Sequence, residues 1–277
     1  MQADGIISNT ISQDIRLKGH QSIRLAADGF SILVSDASYK PVFLKQFTFD
    51  SSIQKDQFPA QCGRILEEYQ LLSFEGETVL IMDTLAVTVV PKQFFNESQS
   101  RALLEKACSL KDTDQVHHRF IKARKIFLTY AVSKEIEALK ERFIGDVKII
   151  HASECLLSLA DQVKSSDHQR GVMVADVQPF SLNILVIQED QIKLLNSYTL
   201  TDPADFIYHA LNTMNQLGLN RESIPIYLSG IIHEEHELFG LLGKYIRQVT
   251  TTPYYLEELT KVQILQYMVV SEASKCA

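Results

Sequence analysis

The chain has 277 residues, with 27 Lys plus Arg against 34 Asp plus Glu and a net charge of −7. Apolar residues at 45% and charged residues at 22% fit a soluble globular protein of about two domains, at roughly 150 residues each. These values exclude collagen, coiled-coil and disulfide-scaffold classes, and they argue against a nucleic-acid partner held by a broad basic face.

Residues 1–14 lack the basic and apolar regions of a signal peptide. The most apolar runs, 85–90 and 180–187, are far below the roughly 20 residues that span a bilayer. Cys62, Cys108, Cys155 and Cys276 are dispersed with no C-x-x-C pair. The expectation is a cytoplasmic protein with reduced thiols and no membrane insertion.

Residues 23–49 read as three short strands, with the polar turn Ser35-Asp36-Ala37-Ser38 between the last two. A helix is predicted over 59–72, with Ile65, Leu66, Tyr69 and Leu72 inward, followed by strands at 78–82 and 85–90 that end at Pro91. Residues 97–110 read as helix and 126–130 as strand. Ser133 opens a helix with Ile136, Leu139 and Phe143 on one face, ended by Gly145. A strand at 147–150 and a helix to about 163 complete the first half. The polar, aperiodic run 164–170 is the predicted linker between domains at 1–165 and 171–277.

The second half begins with three strands over 172–200. Asp202 and Pro203 suit the start of a helix that carries Phe206, Ile207, Ala210, Met214 and Leu217 and stops at Gly218. A strand at 224–228 ends on Ser229-Gly230. Helices over 233–246 and 255–271 flank a strand at 248–252.

Residues 23–49 and 172–200 resemble each other. Each opens on an apolar strand ending in Ala-Asp (Ala27-Asp28; Ala175-Asp176). Each continues with Phe-Ser (Phe30-Ser31; Phe180-Ser181) and an Ile-Leu-Val core, and closes on an aromatic-Thr-apolar triplet. The separations are 150 residues for Ser31 and Ser181 and 151 for Thr48 and Thr199. A repeat of this kind predicts duplication. Two copies of β-β-β-α-β-α-β-α resemble the actin-like ATPase, or duplicated ribonuclease-H-like, fold. In particular, the chain is similar to an uncharacterised bacterial family with that fold, distantly related to PilM and FtsA. The resemblance implies an α/β protein of two lobes, each with a mixed sheet begun by a three-stranded meander and covered by helices.

That resemblance also implies a place for a nucleotide. Active members carry Asp-x-Gly phosphate loops at the first turn of each meander, where Asp orients hydrated Mg²⁺ and Gly admits phosphate to backbone N–H groups. Here the first turn is Asp28-Gly29-Phe30-Ser31, with Gly one position early. The second is Asp176-Val177-Gln178-Pro179, with Gln in place of Gly and a proline that has no N–H to donate. The adenosine loop retains only Gly230. Asp28, Gly29, Ser31, Asp176 and Gly230 are therefore candidate remnants of a nucleotide pocket, or ordinary turn residues. No cofactor is expected, with ATP and Mg²⁺ as the alternative. The function implied is a non-catalytic interaction or assembly module, with a protein or a peptide of a membrane-associated protein as partner. The rival is a nucleotide-dependent ATPase or small-molecule kinase with divergent loops, and a metal-dependent nuclease is a third, weaker reading.

Other motifs carry less. His233-Glu234-Glu235-His236 has the i, i+3 spacing rather than the i, i+4 of a zinc helix, and is expected to be a solvated first helical turn. His117 and His118 point to opposite faces of any strand. No metal site is expected. Arg119, Lys122, Arg124 and Lys125 form a local basic cluster that suits a solvated edge or an anionic partner.

Overall fold

The computed structural model describes residues 2–8, 10–26, 29–48, 57–163, 171–202, 204–254, 256 and 259–276. The first half runs β1 (Gln2–Ser8), α1 (Gln13–Lys18), β2 (His20–Ala26), β3 (Gly29–Ser35), β4 (Pro41–Thr48), α2 (Phe58–Glu68), β5 (Glu77–Met82), β6 (Val87–Pro91), α3 (Ser100–Glu105), β7 (Gln115–Ile121), β8 (Ile126–Val132), α4 (Lys134–Lys140), β9 (Val147–His151) and α5 (Ala152–Gln162). The second runs β10 (Val172–Val177), β11 (Ser181–Gln188), β12 (Gln191–Thr199), α6 (Asp205–Gln216), β13 (Ile226–Gly230), α7 (Glu237–Leu242), β14 (Val249–Thr251), α8 (Lys261–Gln266) and α9 (Met268–Cys276).

Three sheets result, with orders β1-β4-β3-β2-β5-β9, β12-β11-β10-β13-β14 and β6-β8-β7. Apart from edge strand β1, the first two have one topology. A three-stranded antiparallel meander is followed by two strands added parallel to its first strand. The central strands β2, β3, β10 and β11 are buried on both faces, which is why they read as near-continuous apolar runs.

Alternation along the strands sorts side chains into layers. Ile23 and Leu25 of β2 join Leu80 of β5 and a core with Leu66 of α2, Ile136 and Leu139 of α4, and Leu128 and Tyr130 of β8. The opposite face of that sheet, with Val79 and Ile81, packs on α5 and α9, whose other side meets Val172, Val174, Leu185 and Ile187 of the second sheet. Met173, Ala175 and Val177 point away from this middle layer, toward α6 and α7. The helical layer between the sheets is shared. α5 lies against β10 and β11, whereas α9, from the far end of the chain, lies against β2, β3 and β5.

Several elements differ from their sequence reading. β1 and α1 carry little apolar signal and were not predicted; β1 is held by its pairing to β4. The helix predicted over 97–110 is a single 3-10 turn plus α3. The helix predicted over 233–246 is only α7, and the one over 255–271 is two helices broken at Tyr267, a buried residue with non-helical backbone (φ −106°, ψ 14°). The predicted linker 164–170 lies outside the described residues.

The hairpins show that the sequence repeat is out of register in the first two strands of each meander. Ala26 pairs with Gly29, and the Gln178 N–H bonds the Ser181 carbonyl at the equivalent point of the second meander. On the neighbouring parallel strand, the Asp83 N–H bonds Leu25 and the Ile231 N–H bonds Val177 in the same phase. The structural separation in those two strands is thus 152 residues (181 − 29, 183 − 31, 176 − 24), whereas in the third strand Thr48, paired with Gly29, and Thr199, paired with Ser181, are counterparts at the 151 residues of the repeat. Against that register the Ser31–Ser181 match of the sequence is off by two residues and the Asp28–Asp176 match by four; even slips keep each side chain on its proper face, so the apolar pattern alone could not detect them.

Gly29 and Gly230 answer to backbone crowding. A Cβ on Gly230 (φ +86°) would lie 1.9 Å from the Val177 carbonyl oxygen, and one on Gly29 would lie 2.0 Å from that of Phe47. Gly230→Ala is expected to destabilise the protein by about 2–3 kcal/mol, through strain and steric displacement. Gly218→Ala, at φ +64° with open space around it, should cost only about 1 kcal/mol. Urea denaturation of the two variants checks the difference.

Candidate functional site: the carboxyl ends of the central strands

The carboxyl ends of β2, β5 and β10 meet where the two large sheets approach each other, the position at which open α/β sheets bind ligands. The even-numbered positions of β2 and β10 face the middle layer, so Arg24 and Asp176 both point inward. By strand register they are counterparts. At the place where the repeat predicted a pair of aspartates, the first half carries a cation. Asp28 itself lies outside the described residues.

A single nitrogen of the Arg24 guanidinium joins two carboxylates. Nη2 lies 2.5 Å from Asp83 Oδ2 and 2.6 Å from Asp176 Oδ2. All three side chains are buried, at 6%, 1% and 1% exposure. The remaining carboxylate oxygens are satisfied by neutral donors. Ser229 Oγ donates to Asp176 Oδ1 at 2.8 Å, and Gln178 Nε2 lies 3.3 Å from both Asp176 oxygens. Asn183 Nδ2 donates to Asp83 Oδ1 at 2.9 Å, and Asn183 Oδ1 accepts from Ser197 Oγ at 2.5 Å. Arg24 comes from the first sheet and Asp83 from the residue that follows β5; Asp176, Asn183, Ser197 and Ser229 come from the second. The network therefore ties the two together.

Burial alone would push the Asp83 carboxyl up, but the Arg24 charge and the hydrogen bonds from Asn183 and Arg24 outweigh it and hold Asp83 below the ordinary carboxylate range. Burial likewise disfavours the Arg24 cation, and the two aspartates more than reverse this. Next to Asp83, His151 is fully buried between Thr84 and Ser153. Its Nδ1 accepts from the Ser153 N–H and its Nε2 lies 3.0 Å from the Thr84 carbonyl, while burial holds its pKa below the usual value.

A hollow of about 200 Å³ opens beside this triad, lined by Arg24, Gly29, Ser31, Gln46, Gln178 and Phe180 among others. It is smaller than the roughly 300–1,000 Å³ of drug-sized ligand pockets. Of the candidate residues, Gly29 and Ser31 line it. Asp176 lies beneath, bonded to Arg24, and Gly230 closes on the backbone of Val177. Sequence reasoning missed Arg24 and Asp83. The available signal was a lone charge inside the apolar run Ile23–Leu25 and an acid directly after the apolar run 79–82.

Among the described residues no group of three or more His, Cys, Asp or Glu could hold a metal. His233–His236 precede α7 rather than forming its first turn. His236 caps the helix, and Glu234 contacts Lys261 and Thr251. His117 meets Glu137 and His118 packs on Phe95, on opposite faces of β7 as expected. No helix among the described residues is long and apolar enough to cross a membrane.

The profile of one protein family matches residues 8–249 of the chain. The chain belongs to the DUF3822 family. Its members are described as proteins of unknown function. A Bacteroides thetaiotaomicron protein of unknown function with an actin-like ATPase fold is similar over 97% of this chain and 100% of its own, with 21% identity and a TM-score of 0.80. The PilM–PilN type IV pilus biogenesis complex matches 94% of this chain and 98% of its own at 13% identity, with a TM-score of 0.64. The ethanolamine utilization protein EutJ from Carboxydothermus hydrogenoformans matches 94% and 89% at 9% identity, with a TM-score of 0.52. No curated protein matches the chain in sequence. The fold is the actin-like ATPase fold.

Removing the central cation should be costly. Arg24→Met leaves two buried carboxylates facing each other and is expected to lose about 3–5 kcal/mol at pH 7 in urea denaturation. In the native protein the folded pKa of Asp83 lies below its unfolded value near 4. Its contribution is therefore present above about pH 4 and is lost as pH falls through the folded value. In the variant, protonation relieves the repulsion, so part of the deficit should disappear between about pH 7 and 5, where the native protein gains nothing from this site.

Proposed function

We propose that this protein is a non-catalytic actin-like module that acts by binding or assembling with another protein. The observation that carries this reading is the guanidinium of Arg24 lodged between Asp83 and Asp176. Phosphoryl transfer in such a cleft needs metal-bridged phosphates and backbone donors to cradle them. Here the strand-end carboxylates are already neutralised in part from within, and one guanidinium with two carboxylates leaves a single negative charge facing any incoming phosphate. Three further features support the reading: Pro179 in the second hairpin, the crowding at Gly29 and Gly230, and the small hollow. A protein partner is further suggested by the PilM–PilN complex, a structural neighbour that contains two proteins.

A thermal-shift titration with Mg²⁺-ATP separates this reading from a nucleotide-dependent ATPase or kinase. The expected outcome is an unchanged unfolding midpoint up to millimolar nucleotide. A site filled at about 100 times its dissociation constant would add roughly 2.7 kcal/mol. A rise in midpoint that vanishes in Asp176→Asn would overturn the proposal in favour of the enzyme.

A further inference from the structure

The small sheet carries a surface that the cleft does not use. β7 is its terminal strand and pairs only with β8, so alternate N–H and C=O groups along Gln115–Ile121 face away from the sheet with no strand against them among the described residues. One face of β7 is anchored inside. His117 contacts Glu137 of α4, and Arg119 Nε lies 2.8 Å from Glu154 of α5. The other face ends on Phe120, which is 38% exposed and lies with its ring centroid 5.0 Å from that of Phe127.

The basic cluster read from the sequence divides here into two kinds of charge. Both arginines are engaged internally, Arg119 with Glu154 and Arg124 with Asp161. Lys122 and Lys125, exposed at the tip of the β7–β8 hairpin, have no carboxylate partner among the described residues. Lys92 joins them. Its N–H donates to the Lys125 carbonyl at 2.9 Å, and its ammonium sits 5.3 Å from the centroid of the Phe120 ring. Phe94, two residues further on, is 68% exposed. Three lysines without a carboxylate partner among the described residues and the exposed Phe120 thus lie at the hairpin end of an open strand edge, on a chain of net charge −7.

We propose that the β7 edge receives an extended acidic segment of a partner protein. The segment's backbone continues the sheet beyond β7, its carboxylates face Lys92, Lys122 and Lys125, and an apolar side chain covers Phe120. The same lysines repel a second copy of this edge, so charge selects an acidic partner over self-association. The inference rests on the interaction-module reading and names its surface and the chemistry of its partner.

The test uses the full chain and two labelled ten-residue probes, one alternating Glu and Val, the other Lys and Val, followed by fluorescence anisotropy and amide-shift mapping. The expected result is binding of the acidic probe at least tenfold tighter than the basic one. The shifts should centre on 92–95 and 115–125, and affinity should fall at least tenfold in Lys122→Glu/Lys125→Glu and in Phe120→Ser, with thermal unfolding unchanged. Equal affinity for both probes, no binding, or binding indifferent to the charge reversal would overturn it. So would lysine-dependent sedimentation with phosphatidylglycerol vesicles in the absence of acidic-probe binding, which would assign the patch to an anionic lipid surface. Failure here with no response to Mg²⁺-ATP removes this surface and leaves the module reading standing; a nucleotide response removes the module reading whatever the probes do.

Discussion

Two buried carboxylates and one buried guanidinium, at the point where two sheets converge, set the terms for the rest of this molecule. In a low-dielectric layer an unpaired charge is costly, and here only Arg24 Nε, buried without a hydrogen-bond partner, is left unsatisfied in the triad. Each charge is acceptable only because the others and the neutral donors Asn183, Ser197 and Ser229 are in place. Because the donors and acceptors are divided between the sheets, the network fixes how the carboxyl ends of β2 and β10 face each other. The shared helices α5 and α9 fill the apolar part of the same layer.

The two large sheets share a topology but carry opposite charges at one pair of counterpart positions, Arg24 and Asp176. Two aspartates at the counterpart positions would repel and would call for an external cation between them. With Arg24 opposite Asp176, the counter-charge is covalently part of the chain. This is the physical basis for reading the cleft as an internal junction between two sheets rather than as a seat for a triphosphate. The hollow beside it is bordered by aromatic and glutamine side chains together with Arg24, Gly29, Ser31 and Thr48.

The outer sheet shows the opposite logic. There, arginines are drawn inward to single carboxylates, while lysines stay at the rim with their charge unspent. A guanidinium suits directed pairing and an ammonium on a long stem suits solvent, so the same basic cluster can both brace a hairpin and present a charged edge.

How much of this was legible in the chain depended on the range of the forces involved. The amino-acid order determined the alternation of strands and helices, the doubling of the meander and hence the actin-like fold, because apolar periodicity and turn residues act locally. It also displayed the glycines, though whether they served phosphate or crowding depended on distant carbonyls. Weak apolar signal concealed β1, which is a strand because β4 pairs with it, and nothing local at Tyr267 announced the break between α8 and α9. Only the tertiary structure decided that Arg24, and not Asp28, stands opposite Asp176. The four-residue slip from Asp28 to Arg24 leaves the burial pattern unchanged, and only hydrogen-bond register across separate strands can distinguish one even offset from the next.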